Sequence, residues 1–351
     1  MEMINVLVVE DSPTTREFLV HLFDSDPAIR VVGTAADGEE ALVAARRLNP
    51  DIITMDIRMP GMDGLEATRR IMETQPVPIV IVSGNVDPGE TTMTFRALQA
   101  GALAVIPRPY GIGHSHHEMA KRELLQTVKL MAEVKVVRRW PRRKTAIPVP
   151  PLPNPESTAA RIRLVAIGAS TGGPPVLQTI LSGLSERFPV PVLIVQHIAV
   201  GFVQGFVDWL NGSSRLPIQV AAQGDPVRPG HAYVAPDGFQ MGIGRNGTIA
   251  LSPDRPEKGH CPSVSHLFRS VAEVFGANAA GVLLTGMGAD GAEALRLMRD
   301  QGAITIAQDK ESSVVYGMPG AAVELGAAAY VLSPGRIVIK LQELVKTGER
   351  L

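Results

Sequence analysis

Cysteine occurs once in 351 residues, as Cys261. No disulfide can therefore form within the chain, and a reducing compartment suits it. Neither charge sign is in excess: 34 Lys and Arg against 35 Asp and Glu leave a net charge of -1. That balance provides no overall pull toward nucleic acid or an anionic membrane. No run approaches the ~18 uninterrupted apolar residues of a membrane-spanning helix. The opening MEMINVLVVEDS has neither the basic start nor the longer apolar stretch of a secretory signal. A cytoplasmic location without direct membrane insertion is expected. An apolar content of 45% with 20% charged residues is that expected of a soluble globular protein.

What is present divides the chain. Its length exceeds one ordinary core and suits two domains. Residues 135–161, KVVRRWPRRKTAIPVPPLPNPESTAAR, combine a basic cluster with six prolines. Repeated proline denies both helix and central strand, which predicts an extended linker. The domains expected are residues 1–128 and 161–351, with the linker at 129–160. On both sides apolar strands alternate with amphipathic helices, the pattern of α/β domains with doubly wound parallel sheets. INVLVV, RVVGTA, DIITMD, PIVIVSG and ALAVI read as strands of the first. RLVAIGA, VPVLIVQH, AAGVLLTGM, GAITIAQD and AAAYVL read as strands of the second. HAYVAP, with FQMGIG and TIALSP flanking RNG, predicts a hairpin on the edge of that second sheet.

In open parallel sheets, reactive groups collect at the C-terminal ends of the strands. In the first domain those ends carry Glu10, Asp11, Asp56 and Ser83. Three converging carboxylates repel one another unless a hard divalent cation such as Mg2+ joins them. Each residue alone also fits a helix cap or a turn. Taken with MDIRMPGMDG, the set resembles the receiver domain of two-component response regulators. The resemblance implies a flavodoxin-like fold and phosphorylation of Asp56 by a histidine kinase of the CheA type. It also implies Mg2+ held by Glu10, Asp11, Asp56 and the Arg58 carbonyl, with Ser83 as the switch hydroxyl. Arg108 stands where the family has a lysine before proline; it keeps the charge but carries a planar fork. The aromatic switch position holds Val105.

In the second domain, GASTGGPP follows an apolar strand, and Ser170 admits three roles. The glycines could cradle a phosphate, although no G-x-x-x-x-G-K-[ST] pattern is present. Ser170 or Thr171 could cap a helix. Ser170 could instead be a nucleophile, with His197 at the end of the next strand as base and Asp290 after a third strand as orienter. The motifs GASTGGPPVL, QHIAVGF, GHAYVAP, CPSVSHLFRSVA, LLTGMGADGAEAL and YGMPGAA resemble the catalytic domain of the CheB family of chemotaxis methylesterases. That resemblance implies a Rossmann-like domain that hydrolyses glutamate methyl esters of chemoreceptors and deamidates certain glutamines. Ser170, His197 and Asp290 would form the triad, the Met287 amide would serve the oxyanion hole, and Thr171 would line the site. It implies chemoreceptor cytoplasmic segments as substrate, no cofactor for the esterase, and control by the receiver. HSHH at 114–117 reads as a surface loop rather than a metal site, and Cys261 as a non-nucleophilic residue.

Two rival functions belong to other classes. A transcription factor would need a basic C-terminal module with a recognition helix, whereas here the basic run lies in the linker. A binding or scaffold regulator with a vestigial esterase site would keep the motifs without the chemistry.

Overall fold

The computed structural model describes residues 3–84, 88–111, 113–134, 136, 162–253, 256–257 and 259–346. Most of the expected linker, with its proline run, lies outside them. The chain divides into two compact units between Thr145 and Ala146. Among the described residues no helix is long and apolar enough to cross a membrane.

The first unit runs β1 (Ile4–Val9), α1 (Pro13–Asp24), β2 (Ile29–Ala35), α2 (Gly38–Leu48), β3 (Ile52–Met55), α3 (Gly64–Thr74), β4 (Ile79–Ser83), α4 (Pro88–Ala100), β5 (Ala104–Pro107) and α5 (His117–Ala132). Its five strands are parallel in the order β2-β1-β3-β4-β5. β3 and β4 are buried along their whole length, which is why they read as continuous apolar runs. Side chains start the helices: Ser12, Asp37 and Asp63 cap α1, α2 and α3 by accepting from backbone N–H groups one turn on. A Cβ on Gly64 would stand 1.9 Å from the Asp56 carbonyl oxygen. Glycine there lets α3 close against the end of β3.

Two expectations need correction in this unit. α5 continues to Ala132, past the boundary expected at 128, because ELLQTVKLMA keeps a helical apolar spacing with buried Leu124, Val128 and Met131. HSHH is not wholly a surface loop either. His117 begins α5 and is buried, with Nδ1 2.6 Å from the Tyr110 carbonyl oxygen.

The second unit runs β6 (Leu164–Ala169), α6 (Gly173–Gly183), β7 (Val192–Gln196), α7 (Val203–Asn211), β8 (Ile218–Val220), β9 (Ala232–Val234), β10 (Gln240–Ile243), β11 (Ile249–Ser252), α8 (Val264–Phe275), β12 (Ala279–Leu283), α9 (Ala292–Asp300), β13 (Ile304–Gln308), α10 (Met318–Glu324), β14 (Tyr330–Leu332) and α11 (Pro334–Lys346). Seven parallel strands lie in the order β14-β13-β12-β6-β7-β9-β8. Val264, Leu267, Phe268 and Val271 of α8 belong to the core on one face. The glycine of β6, Gly168, admits Val264; a Cβ there would meet its Cγ1 at 2.2 Å.

The hairpin forms, but apart from the large sheet. β10 and β11 pair with each other in a separate two-stranded sheet. Ile243 N donates to Ser270 Oγ on α8 at 3.2 Å. The HAYVAP strand is β9, one place in from the edge. The true edge, β8, is only three residues long with partial burial, too short to show a strand period.

Candidate active site

Strand register brings the nucleophile and base candidates together. Ala169 at the end of β6 pairs with Gln196 at the end of β7, and His197 N donates to Ala169 O at 2.9 Å. Ser170 and His197 therefore leave the sheet side by side, with their strands about 4.8 Å apart. On the other flank of β6, Ser170 N donates to Thr285 O at 3.0 Å, just beyond β12. The loop after β12 carries Met287 and Asp290. All three candidates thus sit on one rim of one sheet.

Asp290 is buried and receives five hydrogen bonds. Its Oδ2 accepts from His197 Nε2 at 3.0 Å and from Val264 N at 2.7 Å. Its Oδ1 accepts from Ser263 Oγ at 3.0 Å, Ser265 N at 3.1 Å and Ser265 Oγ at 2.5 Å. The carboxylate therefore rests on the N-terminus of α8, whose free N–H groups favour an anion. Burial opposes its ionisation, yet the bonds from His197 and Ser265 outweigh it and hold the carboxyl far below the usual carboxylate range.

This pairing distinguishes the two imidazole nitrogens. Nε2 is on Asp290, whereas Nδ1 is buried without a hydrogen-bond partner. No hydrogen bond joins Ser170 Oγ to the ring, so one link of the expected relay is made and the other is open. The Met287 backbone amide, between Gly286 and Gly288, has no acceptor among the described residues, and neither does that of Thr171. Gly286 has its N–H on Val315 O, and its carbonyl accepts from Gly317 N and Met318 N. The turn is thus braced while the next amide stays free.

Several residues of this site escaped sequence reasoning. Gln196 Nε2 donates to both the Ser170 and His197 carbonyls, at 2.9 and 2.8 Å. Thr285 Oγ1 lies 3.0 Å from Thr171 O and accepts from Val315 N at 3.0 Å. Gln308 Oε1 accepts from Thr285 N at 2.9 Å. The available signal was a glutamine closing an apolar strand, in IVQH and IAQD. A buried polar group must find partners, and a strand end offers backbone ones. Ser263 and Ser265 lay in a quoted motif without an assigned role, and His260, whose ring stacks on that of His197, lies just before that motif.

The first unit holds its own polar cluster. Oxygens of Glu10, Asp11 and Asp56 lie within 4.8 Å of one another, because Asp56 N donates to Val9 O and brings the end of β3 beside that of β1. Burial, then the charge of Asp56, push the Glu10 carboxyl up to about 7. Crowded hard oxygens of this kind fit Mg2+, which relieves that repulsion. Arg108 reaches the same cluster, with Nη2 2.9 Å from Glu10 Oε2 and 3.7 Å from Asp56 Oδ2. Ser83 is buried at the adjacent strand end, Arg58 follows Asp56 in the β3–α3 loop, and Val105 is half-buried on β5.

Comparison with known proteins finds a family match for each unit. A family model described as CheB methylesterase matches residues 165–341, and one described as response regulator receiver domain matches residues 6–119. The protein-glutamate methylesterase/protein-glutamine glutaminase 4 of Geobacter metallireducens is 59% identical over 343 residues, 97% of this chain and 99% of the relative. The protein of that name in Nitrosospira multiformis is 58% identical over 348 residues, 98% of this chain and 97% of its own. Among solved structures, the CheB methylesterase catalytic domain of Thermotoga maritima matches at 37% identity with a TM-score of 0.51, covering 52% of this chain and 99% of that one. Two parallel α/β units, an acidic rim on the first and a Ser, His and Asp on the rim of the second therefore lead to one conclusion: the chain belongs to the CheB methylesterase family, with a response-regulator receiver domain ahead of the catalytic one.

Proposed function

We propose that the second unit hydrolyses methyl esters of glutamate side chains in chemoreceptor cytoplasmic segments, and deamidates glutamines there, through Ser170, His197 and Asp290. The observation that carries this reading is the buried His197–Asp290 pair beside Ser170, with Nδ1 of the imidazole left over. In the reaction, Ser170 Oγ attacks the ester carbonyl carbon as Nδ1 takes its proton. Asp290 balances the imidazolium that forms. The amide of Met287, with Thr171 beside the nucleophile, donates to the oxyanion. The tetrahedral adduct collapses, Nδ1 protonates the departing methoxy group, and methanol leaves. Water repeats the sequence on the acyl-serine and releases glutamate. With glutamine the leaving group is ammonia and the remaining steps are the same.

The receiver reading assigns Asp56 as phosphoryl acceptor. Glu10, Asp11, Asp56 and the Arg58 carbonyl would hold Mg2+, which supplies charge neutralisation for phosphoryl transfer. Arg108 and Ser83 would meet the phosphoryl group, and a CheA-type histidine kinase would donate it. The deciding experiment is methanol release from methylated chemoreceptor, with and without phosphodonor. Wild type should release methanol and react with a fluorophosphonate probe, whereas Ser170→Ala should do neither. Asp56→Ala should keep the basal rate and lose the rise with phosphodonor. Probe labelling that survives Ser170→Ala would overturn the assignment of the nucleophile.

A further inference from the structure

The ring of His197 is covered by a second imidazole. His260 lies flat against it, with ring centroids 4.0 Å apart and planes 4° from parallel. The loop that delivers this ring is braced. His260 N and O pair with Glu257 O and N, each at 2.9 Å, and the His260 carbonyl also accepts from Gln240 Nε2 at 3.0 Å. Glu257 is ion-paired with Arg269 of α8. Gln240 Oε1 accepts from Ser263 N at 2.8 Å, at the helix end that grips Asp290. The stacked ring and the carboxylate are thus fixed to the same structure, one covering a face of His197 and the other holding its edge. The esterase chemistry above gives His260 no proton to move.

We propose that His260 is a positioning residue for the base: its stacked ring holds His197 in the orientation that bonds Asp290 and leaves Nδ1 to Ser170, and its protonation switches the base off. This inference rests on the esterase reading. A neutral partner ring adds contact area without charge, and flat stacking removes the freedom of the His197 side chain to swing off Asp290. The charged groups acting on the pair are the rings themselves and Asp290, while Glu257 of the same loop is neutralised by Arg269 of α8. Burial, then the neighbouring His197, lower the basicity of His260, and Asp290 partly offsets them. His260 is therefore uncharged near neutral pH. In acid it becomes an imidazolium, which opposes the second positive charge that His197 must take up from Ser170.

The test uses the full chain with His260→Ala and His260→Phe, reading kcat and KM for methanol release, the rate of fluorophosphonate labelling at Ser170, and the acid limb of kcat/KM. His260→Ala should lower kcat and the labelling rate about tenfold with KM within about twofold, the loss expected when a positioned base becomes free to wander. His260→Phe keeps a flat ring and should recover most of the rate. Its acid limb should be shallower than that of wild type, in which protonation of His260 adds to the loss. A purely structural role would also be rescued by phenylalanine, but would leave the slope as in wild type. Wild-type rates and slopes in both variants would overturn the proposal, as would equal losses in both. If His260→Ala does not fold, the slope of His260→Phe decides. Absence of labelling at Ser170 in wild type would overturn the esterase reading itself and this inference with it.

Discussion

Nε2 of His197 lies 3.0 Å from Oδ2 of Asp290, and the opposite ring nitrogen, Nδ1, is buried with no partner. In the reaction proposed above, the base faces its orienter through Nε2 and its nucleophile through Nδ1. The chymotrypsin arrangement has the reverse. A hydrogen bond to a neighbouring carboxylate fixes which nitrogen carries the proton, so here Nδ1 is the basic atom.

Two substitutions separate these nitrogens. His197→Gln places its amide near the Nε2 position and can still donate to Asp290, whereas His197→Asn ends near Nδ1 and cannot. Both should reduce methanol release by three orders of magnitude or more, since neither supplies a base. His197→Asn should unfold more easily by about 1 kcal/mol, the value of one buried hydrogen bond. Urea denaturation of the two variants gives the comparison. Equal stabilities would argue against the Nε2 assignment.

Asp290 should matter to the fold as well as to the reaction. Asp290→Asn keeps the shape but turns an NH2 group toward donors, among them the fixed N–H groups of Val264 and Ser265. Leaving such groups unsatisfied costs about 2 kcal/mol. The native carboxyl titrates below its unfolded value, so its contribution is present above the unfolded pKa near 4 and is lost as pH falls toward the native one. The stability gap between wild type and Asp290→Asn should therefore be constant from about pH 5 to 8 and narrow below about pH 4. Denaturation at several pH values measures it, and a gap that widens in acid would contradict the ionised carboxylate.

Much of this was legible in the residues themselves. The strand ends EDS, TMD, GASTGG, QH and MGAD named the rim residues of both sheets, because in a parallel sheet the C-terminal strand ends converge wherever the order of strands places them. What escaped was of two kinds. The placement of the hairpin depends on tertiary packing against α8, and β8 is too short to show a local period. Gln196, Ser263, Ser265 and His260 act on partners far along the chain: Ser263 meets Asp290 across 27 residues and Gln240 meets His260 across 20. Such contacts carry no mark in local spacing. Only the need of each buried polar atom for a partner could have pointed to them.

Gly286 sets how closely the turn carrying Met287 approaches Ser170. A Cβ at this position would stand 2.6 Å from Ser170 Cβ and 2.3 Å from Met318 Sδ. The methionine end can bend away, but the serine Cβ is close to the backbone and must move with it. Gly286→Ala should therefore displace Ser170 relative to His197 and the Met287 amide. A misplacement of this order costs about a hundredfold in rate, with a smaller effect on KM. Fluorophosphonate labelling should slow in parallel. A variant that folds and labels at the wild-type rate would show that the turn is not rigidly coupled to the serine.

The last prediction concerns the cation already present in the acidic cluster. Arg108 sits against Glu10 and near Asp56, the same carboxylates that fit Mg2+. A guanidinium there shares the negative potential on which a divalent ion depends. Its side chain is 28% exposed, so water screens it only in part. Removing one positive charge a few ångströms away, at an effective dielectric well above that of a dry interior, should tighten Mg2+ binding by about tenfold. Arg108→Ala should show that gain in calorimetric titration of the full chain with Mg2+. Arg108→Lys keeps the charge but gives up the fork that bonds Glu10, and should change affinity by less than about threefold. The gain in Arg108→Ala should also shrink as ionic strength rises, because screening weakens the term that was removed. A weaker Mg2+ affinity in Arg108→Ala would instead mean that the arginine organises the cluster more than it repels the ion, since loss of its bond to Glu10 would then have let the carboxylates spread apart.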